Sequence, residues 1–363
     1  MLSNDARATQ NPGGLPGKWL CLLLCALITV LVLSCQEAAE PFSAQDVSSL
    51  NRWLDTAHAP PDKPITELLA SGHTVVFAQD ELLRKDSILL MEALLPSIRS
   101  IGVNEIGVFF LNHARQNEID AFIQGSKEDS PTLKTLFAGN TALGYMEYWD
   151  FLLYVRDFNA RMRPDENPVR LLALGDGEMV NTETLAVALG DNGADSDSAD
   201  AGPSEIKPVS HPRFLWLSAE DVVNLPVPPS TVDDAQGRPV LAVHHGPDKK
   251  SLRWGGLIEF VSASRDVRDR SFAFPAEEAP FAAWKGDESG MEADIYLVTP
   301  FPYQAVSPMP DFIDADTAEA ALSLFPEISM RVPTRFAIMK MKRIISNAAR
   351  SYQRKLDRLK MPE

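Results

Sequence analysis

His73-Thr-Val-Val-Phe-Ala-Gln79 is a short apolar run rich in β-branched residues, and its reading as a buried strand decides how the flanking sequence is organised. Downstream, Glu81–Ser100 carries apolar residues at helical spacing, with Leu82, Leu83, Leu90, Leu94 and Leu95 on the inward side. Glu105–Leu111 reads as a second strand. Gln116–Ile123, Pro131–Phe137 and Tyr145–Met162 read as helices, and Pro168–Leu174 as a third strand. Strand and helix alternate with crossovers long enough for parallel pairing. The expected fold is therefore α/β, a layered and mostly parallel sheet flanked by helices.

The pattern breaks at Gly175–Pro208, which contains Gly190-Asp-Asn-Gly-Ala-Asp-Ser-Asp-Ser-Ala-Asp200. This acidic, small-residue segment predicts a mobile loop over 175–208. Its spacing does not match a calcium-binding EF-hand loop, which needs a fixed glycine and a distal glutamate. Strands resume at Arg213–Leu217, Pro239–His244, Gly256–Ser262 and Ala293–Thr299, with a short helix at Ala318–Leu324. Pro333–Lys360 is a basic amphipathic helix with Ile345, Ala348, Tyr352, Leu356 and Leu359 on one stripe. Its reading is a final helix docked on an acidic body, a membrane surface being the other use of such a face.

Upstream of His73, residues 36–64 read as a tether and lead-in, with a short helix around Val47–Ala57 before Pro60, Pro61 and Pro64. Arg7 and Lys18 precede an uncharged run, Trp19–Ser34, of sixteen residues. A spanning helix needs roughly 20 apolar residues, so this run has the length of a signal-peptide core. It closes on Leu33-Ser34-Cys35 and turns polar at Gln36-Glu37. This junction resembles the lipobox of bacterial lipoproteins, with Leu33 where a small residue is usual. The resemblance implies cleavage before Cys35, a lipid anchor on its thiol and a body outside the cytoplasm, in the bacterial cell envelope, facing either the periplasm or the exterior. An uncleaved anchor helix is the alternative. The expected segments are a signal peptide over 1–34, a tether over 35–64, the α/β domain over 65–330 and the basic helix over 331–363.

All three cysteines, Cys21, Cys25 and Cys35, lie in or directly after the apolar run. The body then has no disulfide and no cysteine metal site. The formal net charge is −16, and loss of Arg7, Lys18 and Asp5 with the signal peptide makes it one unit more negative. Such a surface disfavours nucleic acid as a partner and as a whole repels anionic lipid. The expected partners are the membrane, through the anchor, and an unspecified small ligand or envelope protein.

The first half of the body resembles a superfamily that groups the haem-uptake ChaN proteins, erythromycin esterases, TraB and the Tiki proteases. In these the opening strand runs into a Gly-Glu-x-His turn, where this chain has Gln79-Asp80-Glu81-Leu82. Their second strand ends with a glutamate, where Phe109 stands here. Arg115–Gly125 is similar to the helix that follows, and Tyr148-Trp149-Asp150, Tyr154, Asn159 and Pro168-Val169-Arg170 to the Trp-bearing helix and third strand. Val240–Gly246 and Asp294–Pro300 are weaker echoes. The resemblance implies the superfamily fold. It also implies loss of the ancestral site, because leucine and phenylalanine can neither ligate a metal nor move a proton.

Other chemistry-bearing residues are few. His244 and His245 end a strand, where open α/β sheets frame a ligand crevice, and Gly246-Pro247 supplies a turn. His113 follows the second strand and would meet Asp80 and Glu81 if the first two strands were neighbours, giving an acid/histidine cluster for metal or proton transfer. Asp176 opens the acidic segment. Tyr303, within the proline-rich stretch Thr299–Pro310, is a candidate pocket residue. There is no Gly-x-Ser-x-Gly elbow, glycine-rich phosphate loop or His-Glu-x-x-His helix. No cofactor is expected, with haem or a divalent metal the exception that the ChaN branch suggests. The reading is a lipid-anchored binding or structural protein rather than an enzyme; a hydrolase with a relocated site and a haem or metal carrier are the alternatives. Fatty acid supplied to cells should label the wild-type chain but not Cys35→Ala, and equal labelling of both would end the lipoprotein reading.

Overall fold

Seven strands form one sheet in the computed structural model, in the order β3-β2-β4-β1-β5-β7-β6. They are β1 (Val75–Gln79), β2 (Glu105–Asn112), β3 (Arg170–Gly175), β4 (Phe214–Ser218), β5 (Val240–His244), β6 (Phe272–Pro275) and β7 (Ile295–Val298). All neighbours pair in parallel except β6, which runs antiparallel to β7 at one edge. Among the described residues five α-helices accompany them: α1 (Asp62–Ala70), α2 (Lys85–Ser100), α3 (Gln116–Gln124), α4 (Met146–Ala160) and α5 (Thr334–Leu356). The structure describes residues 59–79, 82–125, 141–176, 214–218, 240–244, 271–275, 294–299, 303–309 and 334–357, with isolated residues between them. All belong to the unit Phe42–Glu363. The expected elements at Pro131–Phe137, Gly256–Ser262 and Ala318–Leu324 and the acidic segment after residue 185 lie outside the described residues, except that Leu136 is helical and buried.

Every residue of β1 is buried, as is required of a central parallel strand covered on both faces. On one face α1 packs on α2, α2 on α4, α4 on α3, and α3 on β3. Two glycines with positive φ, Gly72 and Gly102, follow α1 and α2 and turn the chain into β1 and β2. The β3 edge is closed by amide side chains. Gln116 donates to Leu171 O and accepts from Ala173 N, both at 2.8 Å, while Asn159 makes the same pair of bonds to Val169. Each imitates a neighbouring strand and satisfies backbone groups that an open edge would leave free. Arg170 pins the same edge to Asp120 at 2.9 Å, and this hydrogen bond pushes its pKa up.

Four features differ from the sequence-based expectation. Helix α1 occupies part of the expected tether; Pro64 falls in its first turn, where a missing N–H leaves no helical bond unmade. Helix α2 begins at Lys85 rather than Glu81, because Arg84 is extended and bridges to Ala305. Strand β6 carries too short an apolar run to be recognised, and Pro275 suits only an edge. Along α5 the buried line is Met341, Ile345, Ala349, Tyr352 and Leu356, so Ala349 takes the place expected of Ala348, and Leu359 lies outside the described residues.

The chain leaves β1 towards β2 and leaves β4 towards β5, in opposite directions across the sheet. Such a switch point is where open α/β sheets form a crevice outside their C-terminal strand ends. Gln79, the last residue of β1, stands at that point.

Candidate functional site: a filled strand-end crevice

Trp216 lies at the centre of the switch point. It is fully buried on β4 and its ring is surrounded by Phe77, Phe109, Phe110, Tyr148 and Phe151, with centroids 5.2–6.2 Å away. Phe109 and Phe110 are adjacent in β2 yet both reach Trp216. Successive strand residues point to opposite faces, so this needs a local irregularity, and the β2–β3 register shifts between Val108 and Asn112.

A buried polar relay runs through the rings. The indole N–H of Trp216 donates to Gln79 Oε1 at 2.9 Å. Gln79 Nε2 donates to the Tyr148 hydroxyl at 3.1 Å, and that hydroxyl donates to Leu82 O at 2.9 Å. The relay ties β4, β1, α4 and the β1–α2 turn together. It satisfies polar groups that would each cost about 1–3 kcal/mol if buried without a partner.

Residues 303–309 close the C-terminal side of the crevice as a strap. Val306 N donates to Leu83 O and Lys85 N to Gln304 O, both at 2.9 Å. Met146 N donates to Ser307 O at 2.8 Å and Met309 N to Gly144 O at 2.9 Å. The buried Glu147 carboxylate accepts from Ser307 N at 2.6 Å and from Ser307 Oγ at 2.9 Å, with Lys85 Nζ at 3.5 Å. Helix α5 secures the strap from outside, since Gln353 Oε1 accepts from Ala305 N at 2.8 Å.

Under the strap, Arg84 is fully buried. Its Nε donates to Asp86 at 3.0 Å, its Nη2 to Thr299 Oγ1 at 2.9 Å, and its guanidinium lies 4.2 Å from the Tyr303 ring centroid. Burial pushes the Asp86 carboxyl up, with Arg84 pulling the other way. Burial likewise pushes the Tyr303 phenol up, against a smaller opposing effect of Arg84.

Of the expected site residues, His113, His244 and Tyr303 are among the described ones. Cys35, Asp80, Glu81 and His245 lie outside the described residues. The condition for a cluster of His113 with Asp80 and Glu81 is not met, because β4 lies between β1 and β2. The ends of β1 and β2 are thus separated by about two strand spacings, roughly 10 Å. His113 is exposed and turned the other way: its Nδ1 donates to Gly175 O, at the end of β3, at 2.9 Å. Asp176 follows β3 at this far side. His244 is in register with Gln79, so β5 brings that position to the end of β1. Tyr303 is buried and packs with Tyr352 and Leu356.

Sequence reasoning missed Trp216, Gln79, Arg84 and Glu147 as the residues that organise this end of the sheet. Trp216 sits within an apolar strand and Glu147 in an ordinary helical first turn, so neither carries a local signal. Gln79 and Arg84, the polar residues that bracket Asp80-Glu81-Leu82-Leu83, offered a weak one.

Where the superfamily resemblance would place metal or haem ligands, the described crevice residues are apolar or already hydrogen-bonded. Leu82 packs against the core and Phe109 is buried among the aromatic rings, and the polar groups of Gln79, Tyr148 and Trp216 are engaged with each other. Among the described residues no group of three or more His, Cys, Asp and Glu side chains is placed to hold a metal ion.

No family model and no curated protein matches the chain. Among solved structures, a Bacillus cereus protein superposes with a TM-score of 0.45 at 13% identity, covering 74% of this chain and 99% of its own. The α/β assignment rests on the strand order and pairing described above. Replacing Gln79 with Leu should leave the buried Trp216 N–H without its Gln79 partner and lower unfolding stability by about 1–3 kcal/mol; an unchanged denaturation midpoint would show that the relay does not hold the sheet end together.

Proposed function

We propose that the chain is a lipid-anchored protein of the bacterial cell envelope that works through binding or scaffolding, with the catalytic crevice of its fold converted into structure. The supporting observation is the Trp216–Gln79–Tyr148–Leu82 relay at the switch point, covered by the strap. A catalytic site of this fold needs acid, base or metal ligands converging there with room for a reacting group. Here the same volume is taken by aromatic rings and by hydrogen bonds already made.

A second reading, a hydrolase with a relocated acid/histidine site, draws on the register of His244 with Gln79, directly before Asp80 and Glu81. A haem or metal carrier draws only on the ChaN resemblance. The readings separate with the purified chain and the double variant Asp80→Asn with Glu81→Gln. Under the binding reading the wild type holds no stoichiometric divalent metal, gives no metal-dependent ester hydrolysis, and the variant behaves identically. About one metal per chain lost in the variant would favour the relocated site, as would a fall in rate within the ~10²–10⁴-fold range of general acid–base groups.

A further inference from the structure

Helix α5 has two faces. One is buried along Met341, Ile345, Ala349, Tyr352 and Leu356 against the body. The opposite face carries Lys340, Arg343, Arg350 and Arg354 at spacings of 3, 7 and 4, which keeps all four on one side of the helix, and all four are exposed. Between residues 334 and 356 there is no acidic residue. Among the described residues none of these four cations has an ion-pair partner.

The same face also carries large apolar side chains. Phe336 is 56% exposed, Met339 50% and Ile344 37%, three of the five exposed large apolar side chains among the described residues. A docking face towards water alone has no use for them, and a purely electrostatic contact with an acidic chain would leave them unburied. A cationic ridge with apolar residues at its edges matches the boundary between anionic headgroups and acyl chains. The rest of the chain is strongly acidic, so repulsion elsewhere would turn this face, and not another, towards such a surface.

We propose that the outward face of α5 docks on an anionic phospholipid bilayer, with the cations meeting headgroups and Phe336, Met339 and Ile344 entering the interface. The contact is peripheral: among the described residues no helix is long and apolar enough to cross a membrane. It is separate from acylation at Cys35 and does not require it.

The test uses the full chain carrying Cys35→Ala, so that no acyl chain contributes, and flotation with vesicles of phosphatidylcholine alone or mixed with phosphatidylglycerol. The N-terminal apolar run contributes to both vesicle types; the readout is the additional binding that phosphatidylglycerol produces. That increment should be present, fall with salt, and drop by at least about tenfold in Lys340→Glu with Arg343→Glu and Arg350→Glu, since each cation near an anionic surface contributes about five-fold. Phe336→Ser with Met339→Ser should weaken it without removing its salt dependence. These positions are exposed, and an unchanged circular dichroism spectrum verifies the fold. Equal binding to both vesicle types, or an increment untouched by the charge reversals, would overturn the proposal. So would a concentration-dependent dimer of the parent chain that the same reversals dissociate, which would assign the face to a second copy. Fatty-acid labelling at Cys35 reports on the anchor independently of every arm.

Discussion

The hydrogen bond from the Trp216 indole to Gln79 is the constraint on which the rest of this sheet end depends. An indole N–H can only donate, so a fully buried Trp216 must find an acceptor. Gln79 offers one from the last residue of β1 and passes its own N–H to Tyr148, which in turn donates to Leu82 O. Each donor meets an acceptor on a different element. The relay therefore specifies how β4, β1, α4 and the start of α2 sit together, while the surrounding rings supply the apolar burial.

The remaining arrangement follows from that filled volume. With Leu82 O accepting from Tyr148, the turn ends on an extended Arg84, and the backbone of residues 83–85 pairs with residues 304–306. Arg84 turns inward under the strap, where Asp86, Thr299 and the Tyr303 ring surround its charge. A lone buried guanidinium would be costly; here an anion, a hydroxyl and a ring face offset its desolvation. Glu147 holds the far end of the strap through Ser307, and Gln353 of α5 holds its middle. Four segments distant in sequence thus meet where other α/β proteins keep an open crevice.

Much of the fold was legible in local pattern, because strands such as His73–Gln79 and Pro168–Leu174 and helices such as Gln116–Ile123 are bounded by strong turn and periodicity signals. What escaped depends on tertiary partners. Pro64 hid α1, since a proline in a first helical turn looks like a terminator when read alone. Among the described residues strand β6 pairs with β7 and Ala59, and its four residues carry little periodicity. The insertion of β4 between β1 and β2 is a matter of topology with no local signature, and it separates His113 from the β1 turn. Leu82 and Phe109 did indicate apolar filling at the strand ends. The residues that complete it, Trp216 and Tyr148, come from elements far along the chain.

The central claim is that the crevice is closed in the native state and opens only when the domain unfolds. Native-state hydrogen exchange of the strap tests this most directly. The amides of Val306, Ser307 and Met309 should exchange with the same free energy and denaturant dependence as those of β1, because opening the strap exposes the relay beneath it. Exchange of the strap through a separate, lower-energy opening while β1 stays protected would contradict the account, and would identify the strap as a lid over a site that can be reached.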